Sequence, residues 1–205
     1  TETVKAAVRE TYGRIASEPR PSGCCGTSGC CGPADQPGSS ALGYSENERQ
    51  SAPEGSDLGL GCGNPQAIAE LQPGERALDI GSGAGFDAFL AARQVAASGS
   101  VIGVDMTPEM ITKARGNISK TDLRNVEFRL GEIEHLPVAD ESIDVIMSNC
   151  VINLPTDKPA VFREAYRVLA PGGLRAEAKI GKRGEFAGLS RAKVKVGAAP
   201  LCHGD

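Results

Sequence analysis

The chain has 205 residues, 40% of them hydrophobic, enough for one domain with a sizeable core and a short arm beside it. Its formal net charge of −4 argues against nucleic acid or an anionic membrane as the main partner. No basic start leads into an apolar run, and Arg93, Gln94 and Asp105 break the longest apolar stretches, so neither a leader nor a spanning helix is expected and the reading is a soluble, cytoplasmic protein.

Residues 3–16 carry Val4, Val8, Tyr12 and Ile15 at helical spacing, which predicts an amphipathic helix with an apolar stripe to be covered. From 17 to 57 the composition turns to Gly, Ser, Pro and Cys, too little apolar surface to order itself, and the segment reads as a loop or a ligand-ordered arm. Within it, "PSGCCGTSGCCGP" places Cys24, Cys25, Cys30 and Cys31 in eight positions. Three further cysteines, Cys62, Cys150 and Cys202, bring the count to seven, an odd number that in a reducing compartment points to metal or thiol chemistry instead of a disulfide framework. The CC-x4-CC spacing is not a C-x2-C zinc pattern and has no nearby His, leaving capture of a soft electrophile, adventitious metal binding, or an arm with no role.

From Asn64 the texture changes. Asn64 is placed to cap a helix with Pro65 at its first position. Strand signals then alternate with helix signals: strand 76–80, helix 86–96, strand 100–105, a helix opened by Thr107-Pro108 and running to about 117, and strands 126–130 and 142–149. A last helix, capped by Thr156 and with Phe162, Ala165, Tyr166 and Leu169 on one face, ends at Pro171-Gly172-Gly173. Alternation of this kind predicts an α/β fold, a parallel sheet with helices on both faces. Residues 174–205 hold seven Lys/Arg against three Asp/Glu; "RAKVKV" there has the character of an edge strand.

The run "ALDIGSGAGFDAF" is the most informative. Glycines at 81, 83 and 85 sit between a strand and a helix, where a backbone turns sharply and helix N–H groups face a ligand. Phe86 stands where G-x-G-x-x-G needs a glycine, so the loop is D-x-G-x-G-x-G from Asp79. Twenty residues past Gly85, at the end of the next strand, Asp105 is placed to accept hydrogen bonds from ribose hydroxyls. Together these predict nucleoside binding; the purely structural reading is a tight turn plus an Asp that caps the helix after it.

This arrangement resembles the methyltransferases that use S-adenosylmethionine. The resemblance implies a Rossmann-like sheet and a cofactor contacted by Asp79, Gly81, Ser82, Gly83 and Gly85 at its aminocarboxypropyl end and by Asp105 at the ribose. Met106, Glu132 and Ile133 are implied around the adenine, and Asn149 as a further contact. "LGLGCGNP", "VIGVDMTPEMITKAR", "GEIEHLPVADESIDVIMSNCVINL" and "REAYRVLAPGG" resemble more narrowly the bacterial arsenite methyltransferases. That likeness implies trivalent arsenic held by the thiolates of Cys62, Cys150 and Cys202, the last 52 residues beyond Cys150, with the arsenic lone pair as nucleophile. It implies arsenite or thiol-conjugated arsenic as substrate and a thiol reductant, glutathione or thioredoxin, as partner. No general base is needed, and none stands out: His135 falls in a loop after the adenine segment. Cys24, Cys25, Cys30 and Cys31 are then expected to capture arsenic. The sequence departs from the family after "LAPGG", where "LRAEAKIGKRGEF" replaces the expected strand. Domain limits are expected at 1–61 for the helix and Cys-rich arm, 62–180 for the methyltransferase domain and 181–205 for a divergent tail. The alternatives are methylation of an organic small molecule with incidental thiols, and a non-catalytic protein that binds arsenite or another thiophilic metal.

Overall fold

The computed structural model describes residues 2–18, 39, 42–61, 63–149, 151–179 and 193–198. All seven cysteines (24, 25, 30, 31, 62, 150 and 202) lie outside the described residues, and so do the expectations placed on them. The element order is α1 (Glu2–Ser17), α2 (Glu46–Ser51), α3 (Gln66–Ala69), β1 (Arg76–Ile80), α4 (Phe86–Gln94), β2 (Ser100–Asp105), α5 (Pro108–Ile118), β3 (Val126–Leu130), β4 (Ile143–Asn149), α6 (Lys158–Val168), β5 (Leu169–Lys179) and β6 (Lys193–Ala198).

The strands form one sheet in the order β3-β2-β1-β4-β5-β6, with every neighbouring pair parallel. Side chains alternate across it, so each strand feeds two cores. Ala77, Val101, Phe128, Val145 and Met147 pack under Phe89, Ala92 and Val95 of the α4 region and Ile111 and Ala114 of α5. Leu78, Ile80, Ile143 and Ile146 face the other way, against Val161, Ala165 and Val168 of α6. Helices therefore cover both faces, as the alternating pattern predicts. Leu78, Ile80, Phe89, Ile146 and Met147 are fully buried, and each such side chain stabilises the fold by roughly 1.5–3 kcal/mol. The register of β1 on β4 is marked at its outer end by Arg76, whose Nε and Nη2 donate to Asp144 at 2.9 and 2.7 Å.

Five local expectations need correcting. The segment 17–57 is not all loop: Ser45 and Glu48 form a reciprocal capping box that starts α2, a helix of wholly polar sequence. Asn64 is one residue early for an N-cap. Its Oδ1 nevertheless accepts the Gln66 and Ala67 N–H groups, and the helix it starts is a single turn. The cap of α6 is Asp157, which accepts from Ala160 N, not Thr156; Tyr166, expected on the packed face, is exposed. The same helix stops at Val168 and the chain passes straight into β5, which runs through Pro171-Gly172-Gly173 and includes the "LRAEAK" run. Among the described residues β6 pairs with β5 alone, and so takes the edge position expected of "RAKVKV".

α1 lies against α5. Tyr12 and Ile15 pack on a small cluster of Ala16, Leu58, Ala84 and Met110, and Lys113 Nζ donates to the Ala16 carbonyl at 3.1 Å. The C-terminal half of the stripe read from the sequence, Tyr12 and Ile15, thus finds its cover at the carboxyl end of the sheet, while Val4 stays exposed.

Candidate active site

β1 and β4 are neighbours in the sheet although two strands separate them in sequence, and the chain winds outward from this pair in opposite directions. At such a switch point the loops leaving the two strands diverge and open a crevice. A cavity of about 390 Å³ lies there, lined by the loop after β1, the end of β2, the end of β4, and residues 56–61. Val4, Lys5, Val8 and Tyr12 of α1 form one of its walls.

The glycine loop is held by β2. Gly81 and Ser82 donate to the Val104 carbonyl at 2.8 and 3.1 Å, and Gly85 N closes the turn on the Ser82 carbonyl at 2.8 Å. Gly81 has φ +77, and a Cβ there would lie 2.8 Å from the Val151 Cβ, so the position excludes any side chain. Gly85 has φ +96, and a Cβ would come 2.6 Å from the Phe128 ring. Its freedom serves helix-to-sheet packing, since Phe128 already meets Phe89 edge-to-face at 5.4 Å.

Asp105 ends β2 with both oxygens engaged. Oδ2 accepts Gly83 N at 3.0 Å and Oδ1 accepts Thr107 N at 2.8 Å. It thereby braces the glycine loop and starts α5, which is the structural reading of this residue, while still lining the cavity. Burial raises its pKa, against the opposing N–H groups of Thr107 and Gly83.

Asp79 is buried and also lines the cavity. Its Oδ2 and the Ser82 Oγ are buried polar atoms with no hydrogen-bond partner among the described residues. Burial pushes the Asp79 carboxyl well above the usual carboxylate range, and the charges of Asp87 and Asp105 push it the same way. Asp87 is raised by burial to about 6, opposed by hydrogen bonds from Tyr44 and Asn149. Since donors face Asp87 and none faces Asp79 Oδ2, Asp79 is the member of the pair that holds a proton longer.

Of the residues expected at the cofactor, Asp79, Gly81, Ser82, Gly83, Asp105, Met106, Ile133 and Asn149 line this cavity. Gly85 is not among the residues that line it. Glu132 faces α1, where it is ion-paired with Lys5 at 2.6 Å and with Arg9. The Lys5 hydrogen bond comes first among the causes that hold its pKa below the usual range. Glu134, two residues on, is the acid that lines the cavity, 3.2 Å from Lys5 Nζ. Tyr44, Asp57 and Asp87 also line it and were not singled out from the sequence. An acidic residue inside the otherwise apolar "FDAFLAA" helix was the available signal for Asp87.

The positions of Cys62 and Cys150 fall within segments whose described neighbours meet. Gly61 and Asn149 line the cavity, and Asn149 Nδ2 donates to the Gly63 carbonyl at 3.0 Å. Among the described residues no cluster of His, Asp and Glu could hold a metal ion, and no helix is long and apolar enough to cross a membrane.

A family model for the methyltransferase domain matches residues 71–198. The chain is 55% identical over 181 residues to an arsenite methyltransferase of Halobacterium salinarum, covering 84% of this chain and 46% of that protein. It is 48% identical over 128 residues to one of Aquipseudomonas alcaligenes, covering 59% of this chain and 36% of that protein. It therefore spans less than half the length of these curated relatives. Among solved structures, an arsenic(III) S-adenosylmethionine methyltransferase from Chlamydomonas reinhardtii superposes with a TM-score of 0.52 at 40% identity, over 67% of this chain and 46% of that one. A SAM-dependent methyltransferase from Aquifex aeolicus, 23% identical, shares the fold with a TM-score of 0.55 over 74% of this chain and 77% of that one.

Proposed function

The chain belongs to the methyltransferase-domain family, and from that premise we propose that it methylates thiol-bound trivalent arsenic with S-adenosylmethionine as donor. The residues at the switch point fit that cofactor. Asp79 Oδ2, buried and unpartnered, suits the ammonium of an aminocarboxypropyl chain, which would draw the raised carboxyl into its charged form. Asp105, whose oxygens accept the Gly83 and Thr107 N–H groups, also lines the cavity and suits ribose hydroxyls. Met106 and Ile133 supply apolar surface for a base. The absence of a side chain at Gly81 lets Val151 pack closely against the glycine loop. When bound, the cofactor supplies an electrophilic methyl group on a sulfonium.

The nucleophile in this reading is arsenic, held by the thiolates of Cys62, Cys150 and Cys202. Soft thiolates select a soft centre and leave arsenic(III) its lone pair, so no residue has to remove a proton at the reacting atom. Arsenite or a thiol conjugate of it is the substrate, and glutathione or thioredoxin the reductant. Cys24, Cys25, Cys30 and Cys31 act as capture thiols on the arm.

One observation carries the proposal: a nucleoside-shaped set of acids and glycines shares its cavity with the residues flanking Cys62 and Cys150, in a chain 55% identical to an arsenite methyltransferase. Cys62→Ser and Cys150→Ser test it. Serine is nearly isosteric but is a hard, un-ionised oxygen ligand at neutral pH. Each variant should lose arsenic methylation while calorimetry shows unchanged S-adenosylmethionine affinity. Wild-type turnover in either would place the arsenic elsewhere.

A further inference from the structure

The cavity holds more acid than its proposed ligand contacts use. Among the described residues that line it, five carry carboxylates, Asp57, Asp79, Asp87, Asp105 and Glu134, and one carries a cation, Lys5. Lys5 is engaged by Glu132 at 2.6 Å and by Glu134 at 3.2 Å. Neutral donors face the aspartates instead. Asp57 accepts the Ser39 hydroxyl at 2.5 Å and Gly59 N at 2.8 Å. Asp87 accepts the Tyr44 hydroxyl at 2.6 Å and Asn149 Nδ2 at 3.1 Å, and Asp105 accepts the Gly83 and Thr107 N–H groups. Asp79 Oδ2 is buried and has no partner among the described residues.

A neutral donor stabilises a carboxylate without cancelling its charge. Val4, Val8, Met106 and Met110 add apolar wall to the same cavity. A concave site with charge of one sign and low-dielectric walls concentrates its field on whatever enters, and that field needs no contact. Asp79 and Asp105 have roles in the proposed site, on an ammonium and on ribose hydroxyls. Asp57 and Asp87 have none there. Burial is the main cause that raises the Asp87 pKa and the charge of Asp57 raises it further, so these two carboxylates act on the same space.

We infer that Asp57 and Asp87 are specificity-determining acids: with no cation beside them among the described residues, they make the cavity prefer the positively charged methyl donor to the neutral thioether left after transfer. The inference rests on the proposed cofactor and deepens that reading, because it gives release of the spent cofactor a physical cause. Breaking the sulfur–methyl bond leaves the bonding pair on sulfur. The ammonium and carboxylate of S-adenosylhomocysteine then cancel, whereas S-adenosylmethionine has one positive charge in excess. Carboxylates beyond those that hold the ammonium and the ribose therefore attract the donor and not the product.

The rival for Asp57 is a purely structural role, since it ties Ser39 to Gly59. Asp57→Asn separates the two: the amide oxygen still accepts from Gly59, the amide nitrogen donates to the Ser39 oxygen, and only the charge is removed. Titration calorimetry on the full chain measures S-adenosylmethionine and S-adenosylhomocysteine separately. The parent should bind the donor more tightly than the product. Asp57→Asn should weaken S-adenosylmethionine about three- to tenfold, the effect of one partly screened charge acting at a distance, and leave S-adenosylhomocysteine within about twofold. Asp87→Asn, at a more buried position, should shrink the ratio of the two affinities at least as far. Sinefungin, whose ammonium stands in place of the methylsulfonium, should follow the donor in each variant. Equal losses for donor and product would overturn the inference and mark a structural role. An unchanged ratio in Asp57→Asn, a parent that binds the product more tightly, or sinefungin that follows the product would overturn it as well. Each of these leaves the cofactor reading standing. A parent that binds neither nucleoside removes that reading, and this inference with it.

Discussion

Replacing Asp105 with alanine should weaken S-adenosylmethionine binding by a calculable amount. The Asp105 oxygens accept backbone N–H groups, Gly83 at 3.0 Å and Thr107 at 2.8 Å, and the carboxylate lines the cavity where ribose hydroxyls would meet it. Hydrogen bonds to a charged group contribute about 1.5–3 kcal/mol net. Asp105 is only half-buried and its charge partly screened, so the pair of ribose bonds together should fall in that range and not at twice it. The affinity should drop about 10- to 150-fold. Asp105→Asn keeps one acceptor oxygen and should lose less. Because the carboxylate also braces the glycine loop and starts α5, the ligand-free variant should melt lower than the parent. Titration calorimetry and thermal denaturation on the same samples separate the two effects. An Asp105→Ala chain that folds and binds the cofactor with parental affinity would refute the ribose assignment and leave Asp105 as a helix cap alone.

The acids around the cavity predict an inverted pH response. Asp79 and Asp87 are held above the usual carboxylate range, Asp87 at about 6. Native chains then bind protons that unfolded chains release, so this contribution is complete below about pH 4 and lost as pH rises through the folded values. The melting temperature should climb as pH falls from about 7.5 to about 5.5, and Asp79→Asn should flatten the climb; a falling melting temperature would contradict the assignment. Cofactor binding should release a proton from Asp79, seen as a buffer-dependent binding enthalpy that Asp79→Asn abolishes. Glu132→Ala removes one tether each from Lys5 and Arg9 of α1, leaving Lys5 on Glu134 and Arg9 on Glu2, and should cost about 0.2–1 kcal/mol of cofactor affinity, because the tethers are partly exposed; an unchanged affinity would show that this wall does not depend on them. Changing Cys24, Cys25, Cys30 and Cys31 together to Ser should raise the arsenite KM and spare kcat, since capture thiols away from the reacting centre concentrate substrate without aligning it. A collapse of kcat would make one of the four a ligand at the reacting centre.

Much of the sheet was legible because its signals are local. β1 and β2 carry short, mostly apolar runs and β3 an apolar–polar alternation, each bounded by turn residues, and their ends fall where the sequence places them. The glycine loop and Asp105 were legible for the same reason: a strand end, three glycines and a strand-terminal acid fix each other at short range. α2 was not, because "ENERQS" has no apolar period and rests on the Ser45–Glu48 box. The end of α6 was misjudged because Pro-Gly-Gly signals a break, whereas pairing with β4 pulls the chain into β5 from Leu169 onward. Glu132 and Glu134 could not be told apart in sequence, since the choice depends on Lys5 and Arg9, more than a hundred positions away. Asp87 carried a signal, an acid in an apolar helix, but its pairing with Tyr44 was invisible on similar grounds. Their hydroxyl and carboxylate meet across 43 residues, and nothing near either residue announces the other.

The central claim is that arsenic is the methyl acceptor. The full chain, incubated with methyl-labelled S-adenosylmethionine, a thiol reductant and arsenite, should yield arsenic species carrying the label when the products are resolved by mass. Arsenic retained on the protein with no methylated product would contradict catalysis and leave a binding protein. Label found only on an organic acceptor would contradict the substrate.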